Sequence, residues 1–437
     1  MSSLNRRILQ TVFVVGLSSL LPRAAMVARD MLIANHYGTG DQVDAFIVAL
    51  SLPSLVMQIV AQAFAAALVP IFIRQRERGG SGGAVRLSAA ACSAGLLILV
   101  AVAGLMVLGG PWIVALACPG FGPEKQLATL GYYDWFMPLL PIQGMAVIWS
   151  ALLNACGRFA LVTLAGAITP AAVLAALALP AAGTSLQPVV IATLVGAAVE
   201  AAVVALMMCR EGLPLSRPER HPGLREVLDQ VWPMLIGMIL CNANLFIDQI
   251  CASLQGSGGV AALTYSNKVP AFVMSLATLA LGTAVLPHFS RHAAQGDWSG
   301  LRHALRIWGV LIVAATIPVT AALMSESEAV VRLLFERGHF SSADAGTVAW
   351  VQQCYLSQIP AYMVCFLCLK MLSSMSRNRI ILYLSIANFV LNTAFDVILM
   401  RVWGLAGIAL ATSFVYLILL PVDVTCLVVA LRRAQAT

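Results

Sequence analysis

The sequence predicts an all-α polytopic membrane protein of about 12 transmembrane helices, arranged as two six-helix pseudo-repeats around a central cavity. Three observations predict it. Of 437 residues, 60% are hydrophobic and only 10% charged, with a mean hydropathy of +0.90; soluble domains carry roughly 45–50% apolar and about 25% charged residues. The apolar residues gather into runs long enough to cross a bilayer. The second half of the chain also repeats a motif of the first.

In chain order the runs are 9–35, 45–73, 87–109, 127–155, 159–182, 187–209, 227–254, 260–289, 303–324, 345–374, 379–400 and 404–431. Arg6 and Arg7 precede the first run, which is long and lacks a small-x-small cleavage site, so it reads as a retained span. Lys and Arg placement orients the map. With both termini cytoplasmic, nineteen basic residues fall on the cytoplasmic side, against Lys125, Arg332, Arg337 and Arg401 on the other. Arg23, Arg29 and Lys268 remain within spans. The net charge of +7 is thus a product of membrane topology, and no nucleic-acid partner is needed to explain it. The ten cysteines are scattered, and Cys365-x-x-Cys368 sits in an apolar run with no second pair or nearby His, so it reads as core.

The repeat pairs Ala67-Leu-Val-Pro70-Ile-Phe72-Ile-Arg74 with Ala284-Val-Leu-Pro287-His-Phe289-Ser-Arg291, four identities in eight at an offset of 217 residues. Six spans per half give both halves the same orientation, a parallel repeat of the kind that rocks about a midplane site. The expected organisation is an N-terminal lobe at 1–209, a basic, Pro-containing cytoplasmic linker at 210–226, and a C-terminal lobe at 227–437.

Charges inside the spans are the first place to look for function. Arg23, Arg29 and Asp30 lie in the first run and Asp44 opens the second. An ionised group at bilayer depth costs roughly 2.5–3.5 kcal/mol on insertion scales and is retained where it faces a partner, cavity or substrate. Two readings stay open from the residues alone: a substrate-binding wall, or an internal salt-bridge network that fixes helix packing. In the eleventh run, Asn392 and Asp396 are four apart and share a helix face. Asp248 and Asp396 either pair with polar neighbours such as Asn242, Asn244 or Asn388, or join Asn392 in a cation cage. Glu200 and Asp423 are further acids within spans with no constellation around them.

Arg23-x5-Arg29-Asp30, Gly38-x-Gly40, Asp44-Ala-Phe, Leu52-Pro53 and Ala67-x-Val-Pro70 resemble the MviN/MurJ family of lipid II flippases, within the multidrug/oligosaccharidyl-lipid/polysaccharide exporter superfamily. Further matches are Pro119-Gly120-Phe121, Asn154-x3-Arg158-Phe159, Ala280-Leu281-Gly282-Thr283 and Leu334-Phe335-Glu336-Arg337-Gly338-x-Phe340 with Asp344. The resemblance implies a flippase that moves an undecaprenyl-pyrophosphate-linked glycan across the bacterial inner membrane by alternating access, acting as a monomer and without an enzymatic cofactor. It implies headgroup binding by Arg23, Arg29, Asp30, Asp44 and Lys268, arginine's planar fork being suited to phosphate oxygens. It also implies a coupling Na+ held by Asp248, Asn392, Asp396 and Thr412, an oxygen-rich set that suits a hard cation. The chain departs from the family pattern in the second span. Where an arginine pair and an acid are usual, it reads Met57-Gln58-x-x-x-Gln62-Ala63. An exopolysaccharide exporter, or a cation-coupled drug exporter of the same superfamily, is the alternative. A glycosyltransferase is disfavoured, because no loop exceeds about twenty residues.

Overall fold

In lipid every backbone N–H and C=O must be paired within the chain, and among the described residues the chain meets this demand with helices and no strand. The structure, a computed structural model, describes residues 3–78, 80–178, 185–216, 221–285, 289, 291–293 and 295–436. Part of the second copy of the repeated motif (286–288 and 290), part of the linker (217–220) and the side chains of Arg6 and Arg7 lie outside the description. The chain divides into two compact units, Met1–Asn242 and Ala243–Thr437.

The first unit contains α1 (Ser3–Tyr37), α2 (Asp41–Arg78), α3 (Gly80–Leu108), α4 (Gly110–Ala117), α5 (Pro123–Phe136), α6 (Leu139–Ala155), α7 (Phe159–Ala165), α8 (Ile168–Leu177) and α9 (Gln187–Arg210). Helix α10 (Pro222–Ser253) carries the boundary between units, beyond the basic linker. α1 runs through Pro22 and stops where Gly38 takes φ 66° and its N–H returns to the Ala34 carbonyl at 2.8 Å, a left-handed helix end open to glycine. α5 and α6 form one span bent by 44° at Met137–Pro138. The core forms where α2 lies along α3, α5 and α6, and α6 also meets α9. Phe64, Leu68, Phe72, Leu99, Tyr133 and Phe136 are fully buried there. The buried Tyr133 hydroxyl donates to the Met106 carbonyl at 2.9 Å.

Two glycines set the spacing of this bundle. A Cβ on Gly144 of α6 would stand 2.8 Å from Leu99 of α3. One on Gly196 of α9 would stand 2.9 Å from both Ala172 Cβ and Thr169 Cα of α8. Small residues at such points let helix backbones approach closely in a membrane bundle.

The second unit contains the end of α10, then α11 (Gly259–Ser266), α12 (Lys268–Ala284), α13 (Trp298–Ser325), α14 (Ser327–Phe335), α15 (Ser342–Leu356), α16 (Ile359–Ser374) and α17 (Asn378–Ala436). α17 holds two spans joined at Gly404, whose φ 57°, ψ −134° is not helical. Its long helix α13 is followed by a short one, α14, and then by a span broken midway, α15–α16. The first unit runs the same way through α3, α4 and α5–α6. This shared order supports the duplication more broadly than the single motif does. Among the described residues, eight helices are long and apolar enough to cross a membrane, and nine if the bent pair counts as one. Dividing α17 at Gly404 and adding α1 and the α11–α12 pair brings the number to about twelve.

The Leu334–Phe340 motif is structural in this unit. Phe335 and Phe340 close around Tyr265 of α11 with ring centroids 5.3 and 6.0 Å away. Gly338 turns the chain with φ 60°. Ser341 and Asp344 then form a capping box at the start of α15, satisfying two otherwise orphaned backbone donors. Cys365 and Cys368 are buried in α16.

Candidate functional site

In the first unit, α1 brings Arg29 and Asp30 into contact. Arg29 Nε and Nη2 both donate to Asp30 Oδ1, at 3.0 and 2.7 Å. Asp30 is 7% exposed and the Arg29 side chain 17%. A charge-assisted pair held this tightly survives at bilayer depth because each ion replaces part of the other's lost hydration. Arg29 Nη1 has no partner among the described residues.

Arg29 forms part of the wall of a cavity of about 520 Å³ lined by α1, α2, α6, α8 and α9. Its polar lining comes from Ser54, Gln58 and Gln62 of α2, Gln143, Ser150 and Asn154 of α6, Thr169 of α8, and Thr193 and Glu200 of α9. Met57, Gln58 and Gln62, the positions where the second span departs from the family pattern, all face this space. The cavity therefore has one guanidinium, one carboxylate and a wall of neutral amides and hydroxyls. Arg23 is half-buried on the same helix and does not line it.

Asp44 is fully buried, and Lys125 donates to its Oδ2 at 2.6 Å. Lys125 also reaches Asp41 Oδ1 at 2.6 Å and lies 4.0 Å from the centre of the Phe121 ring. From the sequence, Asp44 belongs with the headgroup residues and Lys125 lies outside the spans. The structure adds this ion pair, which joins the start of α2 to the start of α5. It also explains Pro119-Gly120-Phe121, which turns the chain so that Phe121 covers the ammonium. Spacing in sequence gave no signal for a partner 81 residues away.

In the second unit, Lys268 is the first residue of α12, directly after the break at Asn267. Further along, α10 and α17 bring three of the four expected ion ligands together. Asn392 Nδ2 donates to Asp396 Oδ2 at 2.7 Å and to Asp248 Oδ1 at 3.2 Å. Asn244 pairs with Asn388 one turn away, at 2.7 Å. Thr412 shares no described bond with the other three ligands. Gly407 packs against the Leu399 carbonyl with no room for a Cβ, so the chain bends sharply at Gly404.

Among the described residues, two buried oxygens of this cluster have no hydrogen-bond partner, Asn392 Oδ1 and Asp396 Oδ1, and elsewhere on α17 Thr393 Oγ1 and Thr412 Oγ1 are likewise unpartnered. Buried polar atoms are seldom left so, and unsatisfied acceptors beside two carboxyls fit a hard cation with oxygen ligands. Among the described residues no cluster of three or more His, Cys, Asp or Glu forms a metal site. The fit to an ion therefore rests on this mixed carboxylate, amide and hydroxyl set.

An all-helical, multi-pass chain with a polar, singly basic cavity inside one bundle defines a membrane transporter rather than a soluble binding protein. A search of solved structures agrees on the fold. An inward-closed lipid II flippase MurJ matches with TM-score 0.83 at 17% identity, covering 97% of this chain and 90% of that one. An inward-facing MATE-family multidrug transporter of the MOP superfamily matches with TM-score 0.82 at 13% identity, covering 98% and 99%. Among curated proteins, a probable lipid II flippase MurJ of Vibrio cholerae is 26% identical over 94% of this chain and 81% of its own length. One of Rhizobium meliloti is 28% identical over 80% of this chain and 67% of its own length. The family model for lipid II flippase MurJ matches residues 33–436. The chain belongs to the lipid II flippase MurJ family.

Proposed function

We propose that this protein flips an undecaprenyl-pyrophosphate-linked glycan of the lipid II type from the cytoplasmic to the outer leaflet of the bacterial inner membrane. Both termini are cytoplasmic in this reading, and the two lobes alternate access about the linker at 210–226. The observation that carries it is the Arg29–Asp30 pair in the wall of a polar cavity, in a chain of this family. Arg29 offers a free Nη1 to a phosphate oxygen while Asp30 holds the guanidinium plane. Arg23, Asp44 and Lys268 complete the proposed headgroup set. Asp44 acts through Lys125 as well, since that ion pair fixes the start of α2.

Coupling to Na+, to the membrane potential, or to both is part of the proposal. Asp248, Asn392, Asp396 and Thr412 would hold the ion, which moves as cargo and supplies the positive charge that the unpartnered oxygens lack. A charge crossing the membrane field is worth about 2.3 kcal/mol per 100 mV, enough to bias such a step. A drug exporter for organic cations would want aromatic or acidic walls, and no aromatic residue lines the Arg29 cavity among the described residues.

The test is complementation of a strain depleted of its lipid II flippase. Growth on expression of the wild-type chain, and none with Arg29→Gln combined with Asp30→Asn at equal protein level, is the expected result. Failure of the wild type with normal membrane insertion would reject lipid II as the substrate.

A further inference from the structure

The geometry points to a sugar-reading subsite inside the first unit, in which the Glu200 carboxylate accepts hydrogen bonds from the glycan while Arg29 takes the pyrophosphate. This inference rests on the flippase reading and specifies which part of the headgroup each wall of the cavity recognises.

Glu200 is built into place. Gly196, one turn earlier on α9, has no side chain, so α9 closes on α8 against Thr169 and Ala172. That approach brings the Thr169 hydroxyl to Glu200 Oε2, where it donates a hydrogen bond. Glu200 Oε1 has no partner among the described residues. One carboxylate oxygen is thus anchored and the other is left for the cavity that Glu200 lines. A second observation points to a ligand independently. Asn154 Oδ1, also on the wall, is buried with no hydrogen-bond partner among the described residues, and such atoms are normally satisfied by protein, water or ligand.

The chemistry of the wall selects the ligand class. Gln58, Gln62, Gln143 and Asn154 each offer an amide donor pair and an acceptor, the complement of hydroxyls and acetamido groups. With one guanidinium and one carboxylate, the wall is not set for a second phosphate. The volume, about 520 Å³, lies within the roughly 300–1,000 Å³ of small-ligand sites. A purely structural Glu200–Thr169 bond would explain Oε2. It would not explain a free Oε1 and an unpartnered Asn154 oxygen in the same cavity.

The experiment measures binding to the full chain in lipid nanodiscs, with undecaprenyl pyrophosphate and with the same lipid carrying a disaccharide. Glu200→Gln keeps the size and the contact with Thr169 while removing the charge, and hydrogen bonds to ionised acceptors are about twice as strong as neutral ones. We expect Glu200→Gln to weaken the disaccharide lipid about tenfold and to leave the sugar-free lipid within twofold, whereas Arg29→Gln weakens both. Thr169→Val, which frees the carboxylate without removing it, should give a smaller loss in the same direction. Equal loss for both lipids, or no loss for either, overturns the subsite. So does a wild type that does not distinguish the two lipids, and in that case the flippase reading still stands. A wild type that binds neither lipid overturns both.

Discussion

Asp30 and Asp44 are buried carboxylates whose partners decide how they respond to change. Removing one member of a buried ion pair costs roughly 3–5 kcal/mol, chiefly because the other charge stays behind. Lys125→Met removes the counter-charge 2.6 Å from a fully buried Asp44. It should reduce the yield of monodisperse protein, and Asp44→Asn in the same chain should restore much of it. Arg29→Ala endangers folding in the same way through Asp30, so the cleaner probe of transport is Arg29→Gln with Asp30→Asn. That neutral pair should accumulate normally and lose at least tenfold in flipping, measured in proteoliposomes. Ahead of α13, Asp297 accepts from the Gly300 N–H, the Ser299 hydroxyl and His292. These bonds hold its carboxyl below the ordinary value of 3.8, the Gly300 N–H foremost. A depressed folded pKa gives stability that is complete above the unfolded value and lost as pH falls through the folded one. Asp297→Ala should therefore lower Tm at pH 7, and the difference from wild type should fade only below about pH 4, as followed by thermal scans.

Helix contacts in this fold turn on a few positions without side chains. A β-carbon at Gly196 would meet Thr169 Cα and Ala172 Cβ at 2.9 Å. Neither backbone nor methyl can step aside as a flexible side chain would. Overpacking of this kind costs typically 1–3 kcal/mol, so Gly196→Val should lower Tm and widen the α8–α9 contact that sets Glu200. Gly104, on an exposed face of α3, has nothing within 4 Å of such a carbon, and Gly104→Ala should leave Tm within a degree. Periodicity and length made the helical runs legible in the sequence. Their internal breaks were less so: the α15–α16 pair reads as one apolar run because the interruption at Ser357–Gln358 is local backbone geometry. Sequence signals that did speak at this scale were Gly38, Gly338 and the Ser341–Asp344 box, since each requires a residue type of its own.

Across the whole molecule, the proposed coupling predicts that Na+ accelerates glycan flipping by the wild type in proteoliposomes. Asn392→Ala and Asp396→Asn should each abolish that acceleration, because they remove oxygens from the four-ligand set. Na+-independent flipping by the wild type, at rates equal to the variants, would assign coupling to the membrane potential alone. The two units repeat one order of helices, and the sequence by itself determined this much: an all-helical, multi-pass chain, its duplication, its family, and which charges fall within apolar runs. Composition and periodicity carry the helical spans because lipid admits only internally paired backbone and penalises stray charge; the repeated Pro-x-Phe-x-Arg motif carries the duplication, and the ordered series of motifs carries the family. Tertiary structure decided the partners. Lys125 meets Asp44, Asn392 meets Asp248, and Glu200 meets Thr169 across 81, 144 and 31 residues of sequence. A hydrogen bond needs about 3 Å between atoms, and only packed helices, spaced by glycines such as Gly196, bring residues that far apart in sequence to that distance.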